Sequence, residues 1–346
     1  MMKLTRGNLL DADVEALVNT VNTVGVMGKG IALQFKKAFP DNFEAYKREF
    51  DAGRLEIGRV FVYQVGGITN PRYIINFPTK KHWRERSRIE FIREGLKSLV
   101  EAIRTFNISS IAIPPLGCGN GGLHWDEVRP LIEEAMAQVP NVRALVYEPA
   151  GTPPAEQMVN RTERPELTPG RAAVLALMHR YLVPGYLYRL SLLELQKLAY
   201  FLQVAGEPLR LKYAAFRYGP YADNLRHVLN RLEGHYIRGY GDGRNKPETP
   251  LELLPGVADE AENWFTTQPT TKERLERVAA LIEGFETPYG MELLATVHWV
   301  AQKSEHAAAD VDRAIQDVRG WNARKAKFPP NHIRAAWDRL KAHSWI

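Results

Sequence analysis

Two glycine-rich stretches constrain this chain more than any other feature. The first, "NTVNTVGVMGKGIAL" (19–33), leads from an apolar strand-like run, "VEALVN" (14–19), into a helix-like run, "IALQFKKAF" (31–39), with Ile31, Phe35 and Ala38 on one face. The second, "PPLGCGNGGLHW" (114–125), lies between the strand-like "SSIAIPPL" (109–116) and a helix expected from about Asp126. Gly25, Gly28 and Gly30 in one, and Gly117, Gly119, Gly121 and Gly122 in the other, permit positive φ and close backbone approach. A helix that opens at the end of such a loop points N–H groups and the positive end of its dipole outward, which favours phosphate. Neither loop is a P-loop, because Ile31 stands where that motif needs lysine. One such loop is often only a turn. Two of them, at strand-to-helix junctions of one α/β domain, can converge on a diphosphate at the carboxyl edge of a sheet.

The rest of the first 150 residues continues the alternation. "GRVFVYQV" (58–65), "RYIINF" (72–77) and "VRALVYE" (142–148) read as strands. Ser87 with Glu90 predicts a capping box opening a helix whose Ile89, Ile92, Leu96, Leu99, Val100 and Ile103 recur at helical spacing. The pattern predicts an α/β layered domain over 1–150, its sheet covered on both faces. Residues 149–170 hold five prolines and no apolar periodicity, so 151–170 is expected to be a linker. From 171 to 346 the strand signal largely disappears. Helices are expected over 171–182, 191–206, 221–232, 258–268, 271–285, 290–302 and 332–343, a mainly α second domain.

A length of 346 residues suits two domains. A single cysteine, Cys118, excludes a disulfide framework within the chain and fits a reducing cytoplasm. Cys118 reads better as a small packing residue than as a nucleophile, because no His/Asp arrangement accompanies it. No Cys/His cluster has zinc spacing, and neither a metal nor another cofactor is expected. No run of 18 or more apolar residues predicts a membrane span, and the first ten residues lack a signal peptide's apolar core. The net charge of +6 favours polyanionic partners.

One basic concentration, "KKHWRERSR" (80–88), follows "INFPT" directly. Pro78 is expected to stop the strand before it. Lys81, His82, Trp83 and Arg84 there combine positive charge with an aromatic face, which suits single-stranded nucleic acid. A solvated helix start is the bland alternative. Asn19 and Asn22 end the first strand; such residues are usually turn formers, and an amide also suits a ribose hydroxyl.

These residues carry a resemblance. "RGNLLDADVEALVNTVN…GVMGKGIALQFK", "INFPTK" and "IAIPPLGCGNGGL", in that order, resemble a macrodomain, an ADP-ribose-binding fold. The similarity is greatest to the branch of terminal ADP-ribose protein glycohydrolases and DarG antitoxins. "LSLLELQKLAYFLQVAGEPLRLKYAAFRYGPYADNLRHVLNRLEGHY" resembles the helical toxin-neutralising domain of the DarG family. The resemblance implies a mixed sheet sandwiched between helices, followed by a mainly α domain that binds DarT, a toxin that ADP-ribosylates thymidine in single-stranded DNA. It implies removal of ADP-ribose from that DNA. The alternatives are a non-enzymatic ADP-ribose reader and a glycohydrolase for protein-linked ADP-ribose. The catalytic lysine of the branch falls on Lys80, with Thr79 beside it. The distal-ribose asparagine falls on Asn22, with Asn19 in the same run. The two phosphate-and-ribose loops fall on Gly28, Lys29, Gly30 and Ile31, and on Gly117, Cys118, Gly119, Asn120, Gly121, Gly122 and Leu123. The adenine contact falls on Asn8 and Leu9. Two positions depart from the family pattern: Asn8 replaces a common Asp, and Gly121 stands where protein-directed relatives have an acid.

Overall fold

The computed structural model describes residues 1–67, 69–181, 189–243 and 245–346. They form two compact units, Met1–Glu163 with Asp242–Arg244, and Arg164–Gly241 with Asn245–Ile346.

In the first unit the order is β1 (Met2–Thr5), β2 (Ala16–Asn22), α1 (Ile31–Ala38), α2 (Pro40–Asp51), β3 (Phe61–Gln64), β4 (Tyr73–Lys80), α3 (Ile89–Thr105), β5 (Ser110–Ile113), α4 (Trp125–Ala137) and β6 (Arg143–Tyr147). The strands make one sheet in the order β1-β6-β5-β2-β4-β3. Every pairing is parallel except β3 with β4, so the sheet is mixed. Alternation along the buried strands splits their side chains between two cores. Ala16, Val18, Ile75, Phe77, Ile111 and Ile113 meet Leu96 and Leu99 of α3 and Val128 and Ile132 of α4. Leu17, Ile74 and Ala112 face the other way, toward Phe35 and Ala38 of α1. Helices therefore cover both faces, as the periodicity implies.

Three sequence expectations change here. The strand does not stop at Pro78. β4 runs on to Lys80 beside β2, with Val21 opposite Pro78 and Asn22 opposite Lys80. β3 pairs only as far as Asn76, so the proline, which has no N–H, sits where β4 has β2 alone beside it. The capping box at Ser87 and Glu90 does not form: Arg88 is the N-cap of α3 and no side chain caps it. Ser87 instead turns under the second glycine loop, its N–H donating to the Gly121 carbonyl at 3.0 Å. The basic stretch after Lys80 is neither strand nor helix start but a loop leading to α3.

In the second unit the order is α5 (Pro169–Tyr181), β7 (Leu190–Ser191), α6 (Leu192–Val204), β8 (Tyr213–Phe216), β9 (Gly219–Ala222), α7 (Leu225–Leu232), β10 (Ile237–Arg238), β11 (Pro250–Leu253), α8 (Val257–Trp264), α9 (Pro269–Ile282), α10 (Pro288–Lys303), α11 (Glu305–Ala309), α12 (Val311–Gly320) and α13 (Pro330–Ala342). The unit is mainly helical, and its apolar core draws on α5, α6, α9, α10 and α13. Short strands appear where helix was expected: residues 219–222 form β9 before α7 begins. The last residue of the helix expected over 171–182 lies outside the described residues. The units divide between Glu163 and Arg164, within the stretch read as linker, and α5 already starts at Pro169. Among the described residues no helix is long and apolar enough to cross a membrane.

Candidate active site

β5, β2 and β4 are neighbours in the sheet and run parallel. Their carboxyl ends therefore lie side by side, and all three lead into site segments. β2 ends at Asn22 and opens the first glycine loop. β4 ends at Lys80. β5 ends at Ile113 and opens the second glycine loop. The register puts Asn22 directly opposite Lys80. This is the crevice where open α/β sheets bind ligands.

Lys80 is half-buried, and its Nζ donates to the carbonyl of Asn120 in the second loop. Burial alone lowers its pKa from the ordinary lysine value; no charged neighbour contributes. Removing water disfavours the ammonium, so a larger share of Lys80 is a neutral amine at a given pH. Thr79 is buried, with its hydroxyl donating to the Val21 carbonyl at 3.4 Å.

Asn22 is 7% exposed. Its Oδ1 accepts from the amides of Val24 at 3.0 Å and Val26 at 3.3 Å, and its Nδ2 donates to the Val26 carbonyl at 2.6 Å. Gly25 has φ +70°, and a Cβ there would lie 2.7 Å from the Phe50 ring, so this turn needs glycine. Asn19 lies deeper, fully buried, donating to Asn76 Oδ1 at 3.0 Å; Asn76 in turn donates to Asn42 at 2.7 Å. It supports the floor of the loop rather than the crevice surface. Gly28 and Lys29 are exposed and Gly30 is the N-cap of α1, ahead of Ile31. The Gly30 amide is engaged within the unit, donating to the Asp242 carbonyl at 2.8 Å.

In the second loop Gly117 and Gly121 are buried and Gly119, Asn120 and Gly122 are exposed. Gly121 is the tightest position. A Cβ there would come within 2.2 Å of the Gly117 carbonyl oxygen and 2.4 Å of Ser87 Oγ. The departure at Gly121 is therefore built into the loop: any side chain forces the backbone to move. Cys118 is half-buried; burial first, and Glu127 second, push its thiol up to about 11, which leaves it protonated and supports the packing role. Leu123 donates its amide to the Gly117 carbonyl at 3.1 Å and closes the loop.

Asn8 caps a short turn over Leu9–Asp11. Its Oδ1 accepts from Leu10 N at 3.2 Å and its Nδ2 donates to Asp11 at 3.1 Å. The Leu9 side chain is buried in the core under α1, and its carbonyl accepts from the Ala12 amide at 3.2 Å. Of the basic stretch, Lys81, Trp83 and Arg84 are exposed and His82 is partly buried. The Arg84 guanidinium lies 4.5 Å from the Trp83 ring centroid, and the His82 ring lies 5.2 Å away on the same indole. Among the described residues no cluster of three or more His, Cys, Asp or Glu could hold a metal.

Sequence reasoning missed Tyr46 and Ser87. Tyr46 lies in α2, a helix not expected, although Pro40 at its first position and Phe43, Tyr46 and Phe50 at helical spacing signalled it. Ser87 gave no signal beyond the misread capping motif.

Residues 18–132 match the Macro domain family. The macrodomain of Mycobacterium tuberculosis DarG is 52% identical, covering 43% of this chain and 99% of that one, with a TM-score of 0.43. A DNA ADP-ribosyl transferase–DNA ADP-ribosyl glycohydrolase fusion protein of Thermosipho africanus is 34% identical over 38% of each chain. The DNA ADP-ribosyl glycohydrolase of Thermus aquaticus is 52% identical over 98% of this chain and 93% of its own length. With similarity of that depth along both units, and a macrodomain sheet carrying Lys80 and Asn22 at its carboxyl edge, this chain belongs to the DarG family of DNA ADP-ribosyl glycohydrolases.

Proposed function

We propose that the chain hydrolyses the bond between the distal ribose of ADP-ribose and thymidine in single-stranded DNA, and that Lys80 carries the reaction. The observation that supports this best is the pairing of Asn22 with Lys80 at adjacent strand ends, between two glycine loops. In this reading the loops hold the diphosphate, Asn22 meets the distal ribose, and Asn8 and Leu9 meet the adenine. Lys81, His82, Trp83 and Arg84 hold the DNA strand, phosphates on the cations and a base on the indole.

Lys80 has two chemical routes. As a neutral amine it attacks the anomeric carbon while the base departs; water then releases the sugar from the adduct. As an ammonium it stabilises the negative charge that develops as the glycosidic bond breaks. The lowered pKa favours the first route. Trapping with borohydride distinguishes them, since only an imine adduct is reduced to a stable link. No acid can stand at position 121 without moving the loop, so the proton acceptor for water is sought in the substrate or in ordered water.

Residues 1–150 then act as the macrodomain, 151–170 as the connection and 171–346 as the domain that binds and neutralises DarT. The relative that fuses a transferase to a glycohydrolase supports a shared cycle of modification and repair. The test is release of ADP-ribose from a thymidine-modified single-stranded oligonucleotide by wild type and Lys80→Ala. Release by wild type alone supports the reading. Release by both removes Lys80 from the mechanism, and release by neither, with ADP-ribose still bound, makes the protein a reader. Protein-linked ADP-ribose as a competing substrate separates DNA repair from protein repair.

A further inference from the structure

We propose that Tyr46 is a positioning residue for the ribose-facing side chain of Asn22, setting that amide against Lys80. The proposal rests on the reading above, in which Asn22 meets the distal ribose.

Tyr46 is fully buried in α2, packed with Val21, Met27 and Ala32. A phenylalanine would fill that space equally well, so the hydroxyl needs a separate account. A hydroxyl buried without partners is costly. Here its partners all belong to Asn22 and the turn that Asn22 opens. The Tyr46 hydroxyl donates to the Asn22 carbonyl at 2.5 Å and lies 3.2 Å from Asn22 Oδ1. The amides of Gly25 and Val26 approach the same hydroxyl, and burial keeps it protonated.

The consequence is an amide with a fixed orientation. An asparagine can flip, exchanging its oxygen and nitrogen ends. The hydroxyl's one hydrogen serves the Asn22 carbonyl, so Tyr46 pins the main chain of Asn22 and the turn after it, and the amides of Val24 and Val26 in that turn both donate to one end of the Asn22 side chain. Only an oxygen can receive them. The NH₂ is thereby forced to the other end, where one hydrogen serves the Val26 carbonyl. An NH₂ has two hydrogens, so a second remains for a ligand. The same helix braces the turn again through Phe50, whose ring leaves no room for a Cβ at Gly25. α2 thus reaches the site through Asn22 without lining it. The strand register then presents Asn22 beside Lys80.

The experiment combines Tyr46→Phe, Asn22→Ala and the double variant in the full chain. Calorimetric titration gives the affinity for ADP-ribose and for ADP, which lacks the distal ribose. Tyr46→Phe is expected to weaken ADP-ribose binding about tenfold and to leave ADP binding unchanged. In the Asn22→Ala background Tyr46→Phe is expected to add no further loss, because the side chain it positions is gone. Turnover of the modified oligonucleotide should fall in the same pattern. The proposal is overturned if Tyr46→Phe binds ADP-ribose like wild type, if ADP and ADP-ribose weaken equally, or if the two losses multiply. A Phe variant that no longer folds also overturns it, by making the hydroxyl a structural group. Wild type that binds ADP-ribose but releases none would defeat the hydrolase reading while leaving the Tyr46 test intact.

Discussion

Each unit buries lysine amines, and it does so to different ends. In the first unit Lys80 stands half-buried at a strand terminus, held by a loop carbonyl, with burial alone lowering its pKa. In the second unit Lys197 is 2% exposed and Lys325 is 0% exposed. Burial, with Lys325 adding to it, pushes Lys197 down to about 7, and burial takes Lys325 to about 8. Lys197 donates to the Pro220 carbonyl at 2.6 Å and so ties β9 to α6. Lys325 donates to Glu292 at 2.6 Å, and Arg324 grips the same carboxylate at 2.8 and 2.9 Å. By pKa alone the second unit looks the more catalytic. What separates the two is access and architecture: Lys80 lies where three strand ends and two glycine loops meet, while Lys197 and Lys325 are sealed inside a helical core. A perturbed pKa points to a functional site only where a substrate can arrive.

That comparison is sharpened most by exchanging the roles. Lys80→Ala should lower turnover by about 10²–10⁴-fold and leave the unfolding midpoint in urea unchanged. Lys197→Met should do the reverse, leaving release of ADP-ribose intact while altering stability. A Lys197 variant that loses turnover with its fold intact would break the division. Lys80 also predicts a pH profile: turnover rises with pH as the amine deprotonates and levels below the ordinary lysine value of 10.5.

Glu292→Ala comes next. It leaves the buried Lys325 without its counter-charge and frees the exposed Arg324. The loss should be about 3–5 kcal/mol in denaturant unfolding, confined to the second unit's transition. A loss under about 1 kcal/mol would show that the cluster is solvated in solution.

The buried amines also give stability a pH dependence of known sign. The folded Lys197 pKa of about 7 lies below its unfolded value near 10.5. Between those limits the unfolded chain holds a proton that the folded chain lacks, so stability rises with pH across the window. Lys325 adds the same sign from about 8 upward. The unfolding free energy from urea titration at pH 9 should exceed that at pH 7, by about a few kcal/mol at most, and Lys197→Met should flatten the slope. A midpoint that falls over this range would contradict the burial seen here.

The smallest change is Gly121→Ala. One methyl meets the Gly117 carbonyl and Ser87 Oγ, so the loop that holds Lys80 through Asn120 must shift. The expected cost is about 1–3 kcal/mol, with a drop of about tenfold in turnover. Unchanged turnover would mean that the loop's position does not set the amine.

One short motif shows how far local reading reaches. S-x-x-E occurs at Ser87–Glu90 and at Ser191–Glu194. The second forms the capping box, with Ser191 N donating to Glu194 at 2.7 Å. The first does not, because Gly121 of the second glycine loop, 34 positions away, claims the Ser87 amide. Pro78 is a similar case: its local meaning is a strand end, yet the strand continues because no partner strand needs the missing N–H. α2 escaped notice between two stronger signals, and Tyr46 with it.

The alternation of apolar runs, the glycine loops at strand-to-helix junctions and the helical periodicity beyond residue 170 determine the two fold classes without help from tertiary contacts. They do so because burial on one or both faces imposes a period on the residues that do the burying. Lys80 could be picked out through the family resemblance that "INFPTK" carries, but Asn22 and Lys80 as neighbours could not. That pairing depends on the order of strands in the sheet, which brings together residues 58 positions apart, and no local pattern encodes it. The same holds for the seal around Lys197 and the clash that keeps position 121 bare: both are properties of the space between elements, and only the packed chain defines that space.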